Sequence, residues 1–122
     1  MRRSLAAALV TIATLMVATG CGDEQKPAGS GGSAEPKVIE VTFQGDSVTP
    51  NGERVEVATG QEIDLEVTAD QPGEIHVHST PEQELEYKSG TQTVKIQGID
   101  QPGTVDVESH HLDKVIVQLE VR

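Results

Sequence analysis

Apolar and polar residues alternate with a period of two along most of the chain from Lys37 onward. A β-strand places successive side chains on opposite faces, so this alternation predicts half-buried strands. The clearest example is the run from Ile63 to Ala69, in which every second residue is apolar. The same pattern recurs in segments 39–43, 55–57, 75–78, 85–87, 94–96, 105–108 and 115–121.

Short clusters rich in Gly, Pro, Asn and Asp separate these segments, and such clusters are typical of turns. They lie at positions 50–52, 59–60, 70–73, 89–90 and 100–103. About seven or eight short strands, spaced roughly eight to twelve residues apart, indicate an all-β sandwich or a small barrel. We find no helical period beyond the first twenty residues.

The N-terminal segment has the pattern of a secretory signal peptide. Arg2 and Arg3 precede an apolar run of about fourteen residues at positions 5–18. A membrane-spanning helix needs about twenty apolar residues, so this run is too short to span comfortably. We therefore predict that residues 1–20 are a signal peptide that is removed from the mature chain.

Small residues stand directly before a solitary cysteine in the sequence Ala18-Thr19-Gly20-Cys21, which resembles the lipobox of bacterial lipoproteins. The resemblance implies that Cys21 is lipidated, becomes the first residue of the mature chain and anchors the protein to a membrane on its extracytoplasmic face. Residues 21–36 are rich in Gly, Ser and Pro, which predicts a flexible linker. The folded domain is expected over residues 37–122.

Charge and cysteine content exclude several classes of function. The net charge is -11, and phosphate binding needs clustered Lys and Arg, so we expect no nucleic-acid partner. Without residues 1–20, the chain has 7 Lys+Arg against 20 Asp+Glu, and anionic headgroups repel such a surface. One cysteine cannot form an internal disulfide or a multi-cysteine zinc site.

The order of the elements over residues 38–122 resembles the cupredoxin-like family. The matching pieces are Pro50 before a strand, the turn at 55–60, the alternating strand at 62–69, a histidine-bearing strand at 75–79 and Gln101-Pro-Gly-Thr104 before the penultimate strand. The resemblance implies a Greek-key β-sandwich. An immunoglobulin-like sandwich is the alternative, because it has a similar strand count without a metal site.

The resemblance also implies where copper ligands would lie. Members with blue copper use a His, a Cys, a second His and usually a Met, and the thiolate makes that site. Here Ser109 or Glu108 stands at the cysteine position, and both methionines lie in the signal peptide. Because lipidation of Cys21 would also remove its thiolate, we predict no blue copper centre.

Four histidines remain as candidate ligands for non-blue copper or another divalent transition metal. His76 and His78 share one face of a strand, with Cβ atoms about 7 Å apart. His110 and His111 follow the strand that begins at Val105, and Glu108 could complete a site. Use of His76 or His78 together with His110 is the best form of this hypothesis. The alternative is that these histidines are solvated surface residues.

No catalytic motif is present, so we predict that the protein is not an enzyme. Two functions stay open at this point. The first is an anchored binding or interaction module with a protein partner in the cell envelope. The second is a metal-handling protein that uses the histidines and Glu108.

Overall fold

The computed structural model describes residues 34–122. The predicted signal peptide, the lipidation site at Cys21 and the linker up to residue 33 lie outside the described residues, so these remain predictions. The described part of the linker, residues 34–36, has no regular structure. Its backbone already contacts the domain, because the Gln61 side-chain amide donates a hydrogen bond to the Glu35 carbonyl at 2.8 Å.

The described residues form strands and turns, and no helix among them is long and apolar enough to cross a membrane. In chain order the strands are β1 (Lys37–Gln44), β2 (Ser47–Thr49), β3 (Glu53–Val57), β4 (Ile63–Ala69), β5 (Gly73–Val77), β6 (Gln83–Tyr87), β7 (Gly90–Ile96), β8 (Gly103–Ser109) and β9 (Lys114–Val121). The structure has nine strands in residues 34–122, whereas seven or eight were expected. The additional strand is β2, which has three residues and only one buried apolar side chain, Val48, so it shows no alternation in the sequence.

The strands form two sheets that pack face to face. One sheet has the order β2-β1-β4-β7, and the other has the order β3-β9-β8-β5-β6. β1 pairs with β4 in parallel, as β3 does with β9, and the other neighbours are antiparallel. The predicted all-β sandwich is therefore confirmed.

Alternation along the strands places the apolar side chains in one core between the sheets. In β4, Ile63, Leu65 and Val67 are fully buried, as the sequence pattern predicts. Each buried aliphatic side chain stabilises the fold by about 1.5–3 kcal/mol. The rings of Phe43 and Tyr87 stack with centroids 4.6 Å apart and join the two sheets near one end of the core.

The pairing of β8 with β9 contains a β-bulge. Val107 pairs with Val117, but the next residue, Glu108, pairs with Val115, so Ile116 is an extra residue in β9. A bulge of this kind puts two residues opposite one and bends the strand. Consequently Ile116 and Val117 are both buried although they are adjacent in the sequence.

Two glutamine side chains connect the open edges of the sheets at β6 and β7. Gln83 accepts a hydrogen bond from the backbone N–H of Gln97 and donates one to its carbonyl. Gln92 makes the same pair of bonds with the backbone of Lys88. The Gln92 bonds satisfy backbone groups in the turn between β6 and β7, and the Gln83 bonds join the start of β6 to the residue after β7.

Candidate metal-binding site

His76 and His78 project outward from β5 and the residue that follows it. Ile75 and Val77, on the other face of the strand, are fully buried, as the alternation predicts. The His76 side chain is 20% exposed and that of His78 is 38% exposed. Their ring centroids lie 4.3 Å apart. The two imidazoles therefore form an adjacent pair at the surface of the five-stranded sheet.

Glu82 completes a group of three metal-ligating side chains with this pair. One of its carboxylate oxygens lies 3.2 Å from His76 Nε2, and the other lies 3.9 Å from His78 Nδ1. Ligand atoms of all three residues lie within 4.8 Å of one another. We call His76, His78 and Glu82 the two-histidine cluster.

The loop between β5 and β6 brings Glu82 back over the histidines. Ser79 is buried, and its hydroxyl donates to the Pro81 carbonyl at 2.7 Å and accepts from the Gln83 side-chain amide at 3.4 Å. These bonds close a tight turn directly after the histidine-bearing strand. The turn places the Glu82 carboxylate above β5 instead of along the line of β6.

The spacing of the cluster suits a divalent metal ion. Two ligand atoms bound to one zinc ion at about 2.1 Å in tetrahedral geometry lie roughly 3.4 Å apart. The two nitrogen–oxygen distances in the cluster, 3.2 and 3.9 Å, lie on either side of that separation. The two distances involve different oxygens of Glu82, and each is of the size expected between two ligands of one ion.

Glu108, the carboxylate predicted to complete a metal site, lies beside the cluster. It pairs with His76 in the register of β5 and β8, and its Oε2 atom lies 3.0 Å from His78 Nε2. It is not a member of the group whose ligand atoms all lie within 4.8 Å. Glu108 thus contacts one histidine from the side of β8.

His110 and His111 lie in the turn after β8, and neither belongs to the two-histidine cluster. The backbone N–H of His110 donates to the Glu74 carbonyl at 3.1 Å, which continues the pairing of β8 with β5. Both histidines line an open depression of about 670 Å³ beside Gly73 and Tyr87. Within residues 34–122, the only group of three or more metal-ligating side chains is the cluster itself. A metal role for His110 and His111 stays a prediction.

The phenol of Tyr87 fills the space next to this depression. A Cβ atom on Gly73 would collide with the Tyr87 ring and lie 3.0 Å from His111 Cε1, so only glycine fits there. Tyr87 is 3% exposed, and its hydroxyl has no hydrogen-bond partner among the described residues. Burial, with a smaller contribution from the charge of Asp70, raises the pKa of this phenol above 10.0.

A blue copper centre does not fit the residues present. Residues 34–122 contain neither Cys nor Met. Of the two residues expected at the cysteine position, Glu108 faces outward, and Ser109 is 1% exposed with a hydroxyl that has no hydrogen-bond partner within residues 34–122. A hydroxyl does not replace the soft thiolate that such a centre requires.

Glu82 is a candidate ligand that the sequence pattern did not single out. The spacing of Glu82, Glu84 and Glu86 places them on one face of a strand, which predicts a charged surface. The structure begins β6 only at Gln83, so Glu82 belongs to the turn. Pro81, directly before it, is the available sequence signal, because proline favours a turn at this point.

Comparison with solved structures identifies the fold of the domain. No protein-family model matches the chain, and no curated protein sequence matches it. Among solved structures, a reduced tryptophan-to-tyrosine variant of amicyanin aligns with a TM-score of 0.52 and 11% identity, covering 73% of this chain and 86% of amicyanin. The Cu(I) form at pH 4 of a proline-to-glycine variant of amicyanin gives 0.51 and 11%, covering 78% and 87%. At this identity the likeness defines the fold alone, and that fold is the cupredoxin-like β-sandwich.

Proposed function

We propose that the protein is a non-enzymatic binding module that takes up one divalent transition-metal ion, Cu(II) or Zn(II), at the two-histidine cluster. The observation that carries this proposal is the convergence of three ligand side chains from β5 and the following turn. Neutral imidazole nitrogen and carboxylate oxygen are common ligands of both ions.

The number and exposure of the ligands favour exchange of the metal over a structural role. Structural zinc sites are closed by four protein ligands, whereas three ligands leave a position for water or another molecule. The Glu82 side chain is 62% exposed, so an incoming ligand can reach the ion. A site of this kind can accept a metal ion and release it again.

Charges around the cluster favour a cation. In the register of the sheet, His76 lies between Glu84 of β6 and Glu108 of β8, and Glu74 pairs with Glu86 on the same outer face. Carboxylates on one face raise the local concentration of cations and speed their association. They also support a second candidate function, in which this acidic face binds a basic protein partner in the cell envelope.

We further propose that the module is anchored to the extracytoplasmic side of a membrane through lipidated Cys21. The proposal rests on the lipobox-like sequence and on the apolar segment before it. Amicyanin, which shares the fold, has been solved with Cu(I), and this supports copper as one of the two ions to test.

Metal titration of the full chain tests the binding function. The protein is purified in detergent without a histidine tag and titrated with Cu(II) and Zn(II) by calorimetry. We expect one ion per chain. His76→Ala and His78→Ala should each lower the affinity about tenfold or more, since losing a ligand removes at least ~1.4 kcal/mol.

His110→Ala and His111→Ala are the matched controls, because they remove the same side chain outside the cluster. Both should bind like the parent chain. The Cu(II) complex should show no intense thiolate-to-copper absorption band, because its ligands are nitrogen and oxygen. Binding that is weak, non-stoichiometric or indifferent to His76 and His78 would refute the metal function and leave the interaction module.

A further inference from the structure

The imidazole of His78 lies between two carboxylates. Its Nε2 atom is 3.0 Å from Oε2 of Glu108, and its Nδ1 atom is 3.9 Å from Oε1 of Glu82. The two ring nitrogens of an imidazole point in different directions, and in the neutral ring one donates a proton while the other offers a lone pair. The two carboxylates therefore compete for the single proton of neutral His78 and influence its position.

The distances decide which carboxylate accepts a hydrogen bond from the ring N–H of His78. A separation of 3.0 Å lies within the range of a hydrogen bond, whereas 3.9 Å lies beyond it. The backbone also supports the closer contact, because the N–H of His78 donates to the Asp106 carbonyl of β8 at 2.9 Å. Both the main chain and the ring of His78 are thus bonded to the strand that carries Glu108.

We propose that Glu108 is a positioning residue for the metal site and not one of its ligands. Its carboxylate accepts the Nε2–H of His78 and holds the tautomer in which Nδ1 carries the lone pair. That lone pair is directed to the side of Glu82, where His76 Nε2 also lies. The inference rests on the proposed metal function and assigns Nδ1 of His78 as the coordinating atom.

A bonded carboxylate of this kind has a recognised effect on metal sites. Histidine ligands commonly donate their other N–H to a carboxylate or carbonyl, which fixes the ring and makes the ligating nitrogen more basic. Loss of such a partner typically lowers metal affinity by about 10–100-fold. We expect this loss for Glu108→Ala. Glu108→Gln keeps an acceptor oxygen, so it should recover much of the affinity.

Asp106→Ala is the matched control. Asp106 lies on the same outward face of β8 as Glu108, and its substitution removes the same charge. Its carboxylate accepts from the Gln118 side chain at 3.0 Å and is not hydrogen-bonded to a histidine side chain. Zinc affinity of this variant, measured by calorimetry on the full chain, should stay close to that of the parent.

Nitrogen-15 NMR of the imidazole groups gives a readout that a general loss of stability would not produce. In the metal-free parent, neutral His78 should carry its proton on Nε2, and added Zn(II) should shift the Nδ1 resonance. In Glu108→Ala the tautomer preference should disappear. If Glu108→Ala does not fold, the parent chain alone still tests the proposal, through the position of the His78 proton and the resonance that zinc shifts.

Two outcomes would overturn the proposal while leaving the metal function intact. One is stoichiometric zinc binding with unchanged affinity and tautomer in Glu108→Ala. The other is a zinc-shifted Nε2 resonance of His78, which would make Glu108 a neighbouring ligand. Failure of the parent to bind zinc would instead refute the proposed function, and the tautomer of metal-free His78 would still report the hydrogen bond to Glu108.

Discussion

At the scale of single residues, Tyr87 shows how a buried polar atom affects stability. Its ring stacks on Phe43, which favours burial, but its hydroxyl has no hydrogen-bond partner among residues 34–122. Leaving a buried hydroxyl unsatisfied costs about 1–3 kcal/mol. Tyr87→Phe keeps the ring and removes the hydroxyl, so we expect a free energy of unfolding at neutral pH that is unchanged or about 1 kcal/mol higher.

The same variant makes the stability less sensitive to alkaline pH. Because burial raises the pKa of Tyr87 in the folded chain, the folded state binds this proton more tightly than the unfolded state. The associated stability is present below about pH 10, the pKa of an unperturbed Tyr, and is lost as the pH rises further. Urea unfolding of parent and Tyr87→Phe at neutral pH and above about pH 10 measures both effects. A less stable variant at neutral pH would show that the hydroxyl is hydrogen-bonded.

The candidate site shows how far residue-level prediction reaches. A period of two was sufficient to place His76 and His78 on one outward face, because strand geometry fixes that relation locally. Glu108 entered the hypothesis through the resemblance to cupredoxins and not through periodicity, and its carboxylate lies 3.0 Å from His78. The contribution of Glu82 depends on how the chain turns after His78, and that turn is set by bonds of the buried Ser79 hydroxyl that no periodicity encodes.

At the scale of elements, the strands were predictable where burial alternates and less so where the ladder is irregular. The alternation in segment 115–121 predicts a regular strand in which Val115, Val117 and Leu119 share one face. The bulge makes Ile116 a fully buried residue and leaves Val115 half-buried. A bulge depends on pairing with the partner strand, so the sequence of one strand does not reveal it.

This irregularity gives a test of packing. Ile116→Ala removes a fully buried side chain from the bulge and should lower the free energy of unfolding by about 2–5 kcal/mol. Val38→Ala is the control, because Val38 is 57% exposed and its truncation should change stability by no more than about 0.5 kcal/mol. Urea denaturation of both variants measures the difference. A small effect of Ile116→Ala would mean that the bulge can close without leaving a cavity.

At the scale of the whole molecule, the proposed anchor limits the ligands of the proposed metal site, because both involve the availability of sulfur. If the thiol of Cys21, the single cysteine of the chain, is lipidated, any metal bound by the domain must use nitrogen and oxygen ligands. The two-histidine cluster contains only such ligands. A cupredoxin-like fold is thus compatible with metal handling in a lipoprotein without the chemistry of a blue copper centre.

The anchor itself is tested by how the protein is held at the membrane. The chain has a net charge of -11, and the acidic domain is repelled by anionic headgroups, so electrostatic attraction cannot retain it. Each methylene of an acyl chain that is buried in the bilayer contributes about 0.8 kcal/mol to membrane binding, and salt does not weaken this contribution.

We therefore expect that detergent but not concentrated salt releases the parent chain from membranes, and that cells fed a tagged fatty acid label it. Cys21→Ser should lose the label, whereas Ser30→Ala in the predicted linker should keep it. Release by salt, or a mass that corresponds to an unmodified Cys21, would contradict the anchor and return the thiol to the set of available metal ligands.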